Sequence, residues 1–231
     1  MTTVVITGAS KGIGLATAKL FSEAGARVIN ISRTPCPLDN IEDHLIDLTG
    51  ANAAAAINGT VAKIDTGQIH LIHNAARLTS ESVANIDIDA FRETLDINVV
   101  APEILNKALL PKMQATSSII YIGSTLSEKA VANSFSYVVT KHAIIGMMRA
   151  TCQDLAGTGI HTACICPGFT NTEMLRAHVG EDPDILASIA GGSTFGRLIE
   201  PEEIARSIHF AANNPVLNGA VVHANLGQIE H

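Results

Sequence analysis

Residues 3–14 read TVVITGASKGIG. The first five are a compact β-branched and apolar run, which favours a strand. A glycine-punctuated turn follows, and a helical pattern begins at residue 14. In that turn Gly8 permits a tight reversal, Gly12 lets a ligand approach the backbone, and Gly14 lets the helix pack on the strand. A helix that starts there presents unpaired N–H groups and a partial positive charge, which suits a diphosphate. The glycine spacing is GxxxGxG, not GxGxxG, and an ordinary strand-to-helix turn also uses glycines in this way. The rest of the chain has to decide between the two.

Working outward, short apolar runs alternate with longer helical patterns. The runs lie at residues 3–7, 27–32, 44–46, 69–73, 118–122, 161–166 and 220–223. Most are apolar on both alternations, as expected of strands covered on both faces of a parallel sheet. Helical patterns span residues 14–24, 51–63, 89–114, 135–156 and 201–213. Strand, helix, strand, repeated, predicts an α/β doubly wound sheet of about seven strands. No linker or charge block interrupts the rhythm, so residues 1–231 read as one domain.

Composition narrows the function. Of 231 residues, 22 are acidic and 15 basic, for a net charge of −7, and only six Phe, two Tyr and no Trp are present. A nucleic-acid binder would show a basic stripe and stacking platforms, so none is expected as a partner. Cys36, Cys152, Cys164 and Cys166 form no CxxC pair and read as small buried thiols, with Cys164 and Cys166 on one side of a strand. Nine histidines show no ligand spacing, so no metal site is expected. Neither a signal peptide nor a membrane-length apolar run is visible, which predicts a cytoplasmic protein without membrane contact.

Four residues carry candidate chemistry. Tyr137 and Lys141 lie four apart in a helical stretch and so share a face. A free tyrosine titrates near ~10, and a nearby ammonium favours its phenolate, making the pair suitable for proton exchange with a carbonyl or alcohol oxygen. Taken alone, the pair reads equally well as a solvated face. Ser124 closes the fifth strand, at the carboxyl edge where doubly wound sheets bind ligands. Its hydroxyl would bond a substrate oxygen. Asn98, in DINVV, is polar in an apolar stretch: either a satisfied core amide or the holder of a water in a proton relay.

With these residues in view, the chain resembles the short-chain dehydrogenase/reductase family, classical type. The resemblance rests on TGASKGIG at residues 7–14, Asp47–Leu48, HNAA at 73–76, Asn98 in DINVV, Ser124, Tyr137 with Lys141, PGFTNT at 167–172 and FGRLIEPEEIA at 195–205. It implies a Rossmann fold whose cofactor half is roughly residues 1–120 and whose catalytic and substrate half is roughly 121–231. Tyr137 would be the general acid/base, Lys141 would favour its phenolate and hold the ribose, Ser124 would polarise the carbonyl, and Asn98 would support the relay. The dinucleotide would lie against Gly8, Ser10, Lys11, Gly12, Ile13 and Gly14. Asp47 would contact the adenine, and the Asn74 carbonyl would lie near the adenosine ribose. Thr170 and Thr172 would hold the carboxamide, with Leu48, Ala75, Ala76, Pro167 and Gly168 as further cofactor contacts.

Cofactor choice turns on the end of the second strand. No acid stands there to bind a 2′-hydroxyl; Arg33 stands there instead, and Lys11 in the turn is a second cation. Two cations suit a 2′-phosphate. NADP(H) is therefore expected, with NAD(H) left open, because Arg33 could simply stack on adenine. Three departures from the family pattern stand out. Ala76 replaces a glycine, the 13 residues between Arg33 and Asp47 leave little room for a helix, and the tail ending at His231 is brief. Residues 126–134 and the glycine-rich 173–195 would set specificity for a small carbonyl or alcohol. Met174, Leu175, Val179, Ile185 and Leu186 would line a pocket or pack a short helix. The outer faces of the helices at 89–114 and 135–156 predict a homodimer or homotetramer. The alternatives are an NAD-dependent alcohol dehydrogenase and a non-catalytic dinucleotide-binding regulator.

Overall fold

The computed structural model describes residues 1–229; Glu230 and His231, the end of the brief tail, lie outside them. Seven strands form one parallel sheet: β1 Thr3–Thr7, β2 Arg27–Ser32, β3 Glu42–Leu45, β4 Ile69–His73, β5 Ser118–Ile122, β6 His161–Pro167 and β7 Ala220–Ala224, in the order β3-β2-β1-β4-β5-β6-β7. The seven expected strands are all present. Side chains alternate between two apolar layers. Val5, Leu71, Ile119 and Tyr121 face Ile57, Leu105, Ile144 and Met148 of α2 (Ala53–Ala62), α4 (Ala101–Leu109) and α5 (Phe135–Asp154). Val4, Ile6, Ile120 and Ile165 face Phe21 of α1 (Gly12–Glu23) and Ile204 and Ile208 of α8 (Pro201–Ala212). Aliphatic burial on both faces is what a doubly wound sheet requires, and it accounts for the scarcity of aromatics. The order reverses between β1 and β4, which opens a crevice at the carboxyl ends of those strands.

No helix forms between β2 and β3, as the short spacing predicted. Side chains stitch that stretch down instead. The Asp43 carboxylate accepts from Cys36 N at 3.0 Å and from Asn30 Nδ2 at 2.7 Å, while Asn30 Oδ1 accepts from Ala9 N at 2.9 Å. One buried asparagine thus couples the β2–β3 loop to the glycine turn.

The single helix expected over 89–114 is corrected by the structure. It consists of α3 (Ile88–Leu95), one wide π turn (Asp96–Val100), α4 and a 3₁₀ turn (Leu110–Lys112). The cause is Pro102. It has no N–H to give the Asn98 carbonyl, and its ring crowds that position, so the chain widens and Ala101 N bonds Asp96 O instead. The segment 173–195 also carries two helices that the sequence reading did not resolve, α6 (Glu173–Val179) and α7 (Pro183–Ala190). Thr172 and Asp182 cap them through their side chains.

Candidate functional site

The glycine turn is built against the end of β4. Thr7 Oγ1 accepts from Asn74 N and Ala75 N, both at 3.0 Å, and Asn74 Nδ2 donates to the carbonyls of Thr7 and Gly8 at 3.0 Å. Gly8 and Gly12 take φ of +74° and +53°, which only glycine adopts without strain. A Cβ at Gly14 would fall 2.1 Å from the Gly8 carbonyl oxygen and 2.5 Å from Asn74 Nδ2. Gly14 is therefore required where the start of α1 lies against the residues that follow β1 and β4. The α1 N-cap residue, Lys11, is extended and makes no side-chain cap, so the first-turn N–H groups of this 12-residue helix receive no side-chain acceptor from it. This uncapped end, with Lys11 beside it, fits the diphosphate of a dinucleotide.

A cleft of about 450 Å³ runs from that turn across the carboxyl edge of the sheet. At one end it is lined by Gly8, Ser10, Lys11, Gly12 and Ile13 from the turn, Arg33 after β2, and Asp47 and Leu48 after β3. Asn74, Ala75 and Ala76 line its middle. At the other end stand Ser124, Tyr137, Lys141, Pro167, Gly168, Thr170 and Thr172. Two expected contact residues, Gly14 and Asn98, do not line the cleft: Gly14 lies beneath the turn, and Asn98 is buried behind it. Of the segment 173–195, Met174, Leu175 and Val179 line the cleft, whereas Ile185 and Leu186 do not.

The catalytic candidates are each anchored. Lys141 is only 4% exposed, and its Nζ donates to the Ile122 carbonyl at 2.6 Å, tying α5 to the last residue of β5. The same ammonium lies 5.3 Å from the centroid of the Tyr137 ring. Ser124 caps a short 3₁₀ turn (Thr125–Ser127): its Oγ accepts from Leu126 N at 3.1 Å, and its N–H donates to Ser127 Oγ at 3.0 Å. Gly123, just before it, has no room for a side chain, because a Cβ would meet Cys166 Sγ at 2.7 Å and Cys164 Sγ at 2.8 Å. Those two thiols share a side of β6, as expected, 3.8 Å apart. The Asn98 amide is saturated. Its Oδ1 accepts from Arg77 N at 2.8 Å, and its Nδ2 donates to the Arg77 carbonyl and to Thr140 Oγ1 on α5. Its backbone carbonyl is the one that Pro102 leaves without the usual helical donor.

Electrostatics differ between the two ends. Hydrogen bonds from the Thr49 backbone and hydroxyl hold the Asp47 carboxyl below its usual range, with a smaller contribution from the Arg33 charge nearby. Thr170 donates to the Gly168 carbonyl at 3.0 Å, and Thr172 Oγ1 accepts from Leu175 N at 3.3 Å. Several further cleft residues escaped the sequence reading, among them Glu173 and His178. Glu173 places a carboxylate oxygen 3.6 Å from where a Gly12 Cβ would stand. His178 of α6 reaches across to Ser80, with Nδ1 3.1 Å from Oγ. Neither belongs to a motif; only the cap signal at Thr172 could have placed them on one helix.

Among the described residues no helix is long and apolar enough to cross a membrane, and no cluster of His, Cys, Asp and Glu could hold a metal. Tyr121 of β5 is fully buried; burial pushes its phenol up to about 12 despite hydrogen bonds with Thr151 and Asn106.

Comparison with known proteins agrees with this architecture. The chain is 33% identical over 224 residues to 2-keto-3-deoxy-L-fuconate dehydrogenase of Xanthomonas campestris, covering 91% of this chain and 73% of that protein. Among solved structures, a short chain dehydrogenase family protein of Francisella tularensis superposes with a TM-score of 0.90 at 26% identity, covering 98% of both chains. The NADP-bound structure of ElxO superposes with a TM-score of 0.85 at 26% identity, covering 97% of both. The family model described as short chain dehydrogenase matches residues 2–182, and the chain therefore belongs to the short-chain dehydrogenase/reductase family of oxidoreductases.

Proposed function

We propose that this chain is an NADP(H)-dependent oxidoreductase that interconverts a small-molecule carbonyl and its alcohol. The observation that supports this most is the single cleft, in which the uncapped α1 end and the cations Lys11 and Arg33 share a surface with Ser124, Tyr137 and Lys141. Lys11, Arg33 and the turn amides would hold the phosphates, and Pro167, Gly168, Thr170 and Thr172 the nicotinamide end. When bound, the nicotinamide gives or takes the hydride.

The protein residues would handle the proton. Ser124 Oγ already accepts a bond from Leu126 N, so its O–H remains to donate to the substrate oxygen. In reduction Tyr137 gives its phenolic proton to that oxygen, and in oxidation it takes one back. The Lys141 ammonium stabilises the charge left on the phenolic oxygen and bonds the ribose. The Asn98 carbonyl freed by Pro102 would hold a water that connects Lys141 to solvent. The apolar mouth formed by Leu126, Met174, Leu175 and Val179 would receive the substrate. The whole chain would work as one domain in the cytoplasm. The exposed Val100 and Val139 mark helix faces that would pair in a homodimer or homotetramer, which sedimentation velocity would report as a species larger than the monomer.

Cofactor preference gives the direct test. NADPH is expected to exceed NADH in kcat/KM by at least about tenfold, the scale of one charge-assisted phosphate contact. Arg33→Asp should reverse much of that difference, because a carboxylate repels the 2′-phosphate and accepts from a 2′-hydroxyl. A wild type that prefers NADH would instead identify the NAD-dependent alternative.

A further inference from the structure

We infer that Glu81 is a positioning residue for Tyr137, holding the first turn of the helix that carries it; this rests on the functional reading above. The 20-residue helix α5 starts without a cap of its own, since its N-cap residue, Ser134, makes no side-chain cap. The missing acceptors come from a residue far back in the chain. Glu81 Oε1 accepts from Ser136 N at 2.8 Å across 55 residues of sequence, and the Glu81 carbonyl accepts from Phe135 N at 3.2 Å. Glu81 also pairs with Ser134 in an isolated parallel bridge. Three consecutive residues, Ser134, Phe135 and Ser136, are thus fixed by one glutamate, and Tyr137 is the next.

The carboxylate also suits the positive end of a long helix. Partial burial pushes its carboxyl upward, but hydrogen bonds from Thr79 and Ser136 outweigh this and hold it below the ordinary carboxylate range. Farther along the same helix Lys141 is pinned to β5 through the Ile122 carbonyl. Glu81 and Ile122 therefore clamp α5 one residue before and four residues after Tyr137. Loss of the Glu81 side chain removes the bond to Ser136 N, the contact next to Tyr137, while the backbone contacts to Ser134 and Phe135 remain, so the turn loosens at the phenol. Proton transfer tolerates little misplacement, about 1 Å being enough for a large loss in rate.

The test compares Glu81→Ala with Glu81→Gln. Both remove the charge, but glutamine keeps an acceptor for Ser136 N. We expect E81A to lower kcat on the order of tenfold, with KM for the carbonyl and Kd for NADPH changed by less than about twofold, and E81Q to recover most of the loss. If E81A does not fold, E81L keeps the stem volume without an acceptor and takes its place. A readout independent of turnover uses the fact that the chain has only two tyrosines. In a Tyr121→Phe background the tyrosine near-UV circular dichroism belongs to Tyr137 alone. E81A should weaken that signal relative to E81Q, as the ring loses its fixed place against the Lys141 ammonium. Equal kcat for E81A and wild type, equal loss in E81A and E81Q, or identical near-UV signals would each overturn the role. A wild type that reduces no carbonyl overturns the functional reading instead, and the near-UV comparison still decides the role of Glu81.

Discussion

Tyr137→Phe is expected to lower kcat by about 10³-fold while leaving the fold and NADPH affinity intact. The phenylalanine ring fills the same space against Lys141, and the lost hydroxyl makes no hydrogen bond within the described residues, so no buried partner is stranded. Lys141 keeps its bond to the Ile122 carbonyl, so the far clamp on α5 survives. Only the proton that passes to or from the substrate oxygen is lost, and a positioned general acid contributes roughly 10²- to 10⁴-fold. Single-turnover oxidation of bound NADPH with a panel of ketones separates the steps. Tight binding with no hydride transfer in the variant supports the assignment. Retention of more than about a tenth of the wild-type rate would remove Tyr137 from the acid/base role. Wild-type NADPH binding with no turnover of any ketone or alcohol would favour the non-catalytic regulator.

Much of the candidate site can be read from the chain, because many of the proposed cofactor contacts and Ser124 sit at strand ends whose apolar runs are short and well punctuated, while Tyr137 and Lys141 share one face of α5. The turn at 7–14, Asn74 and Ser124 each follow such a run directly. Where the sequence misleads, the controlling interaction is distant or contradicts a continuous pattern. Apolar periodicity carries through 89–114 without a break, yet the missing N–H of Pro102 forces the wide turn and leaves the Asn98 carbonyl without its usual helical donor. Residues 42–43 look too polar for a strand, but Glu42 bonds Arg27 and His44, and Asp43 bonds Asn30, so β3 starts two residues earlier than the apolar run. The glycines in 173–195 drew attention away from the capping threonine and the Asp-Pro pair that start α6 and α7. Glu81 is silent in sequence, because its partners lie 55 residues away.

Acid should unfold this protein earlier than its carboxylates alone would dictate, and two histidines are the cause. His70 is 1% exposed and His73 is 4% exposed. Burial pushes both down to about 4, with His161 and His209 adding to the effect at His70, and a hydrogen bond with Asn106 only partly opposing it at His73. His70 Nδ1 is bonded to Ser118 Oγ and His73 Nε2 to Asn106 Oδ1, both at 2.8 Å, while His70 Nε2 and His73 Nδ1 have no partner for an added proton. The unfolded chain takes up these protons near the ordinary histidine value of about 6.5, and the folded chain only near 4. The stability conferred by these neutral rings is therefore complete above pH 6.5 and is lost as pH falls towards 4. For the pair the loss between pH 7 and pH 5 comes to about 4 kcal/mol, a large share of a typical folding free energy. The depressed carboxyls, such as Glu203, held near 2 chiefly by its hydrogen bond with Arg197, act only at lower pH. Urea midpoints at pH 7, 6 and 5 measure the slope. His73→Asn, which removes one of the two titrating rings, should roughly halve it. Midpoints that do not move between pH 7 and pH 5, or an unchanged slope in the variant, would place the acid sensitivity elsewhere.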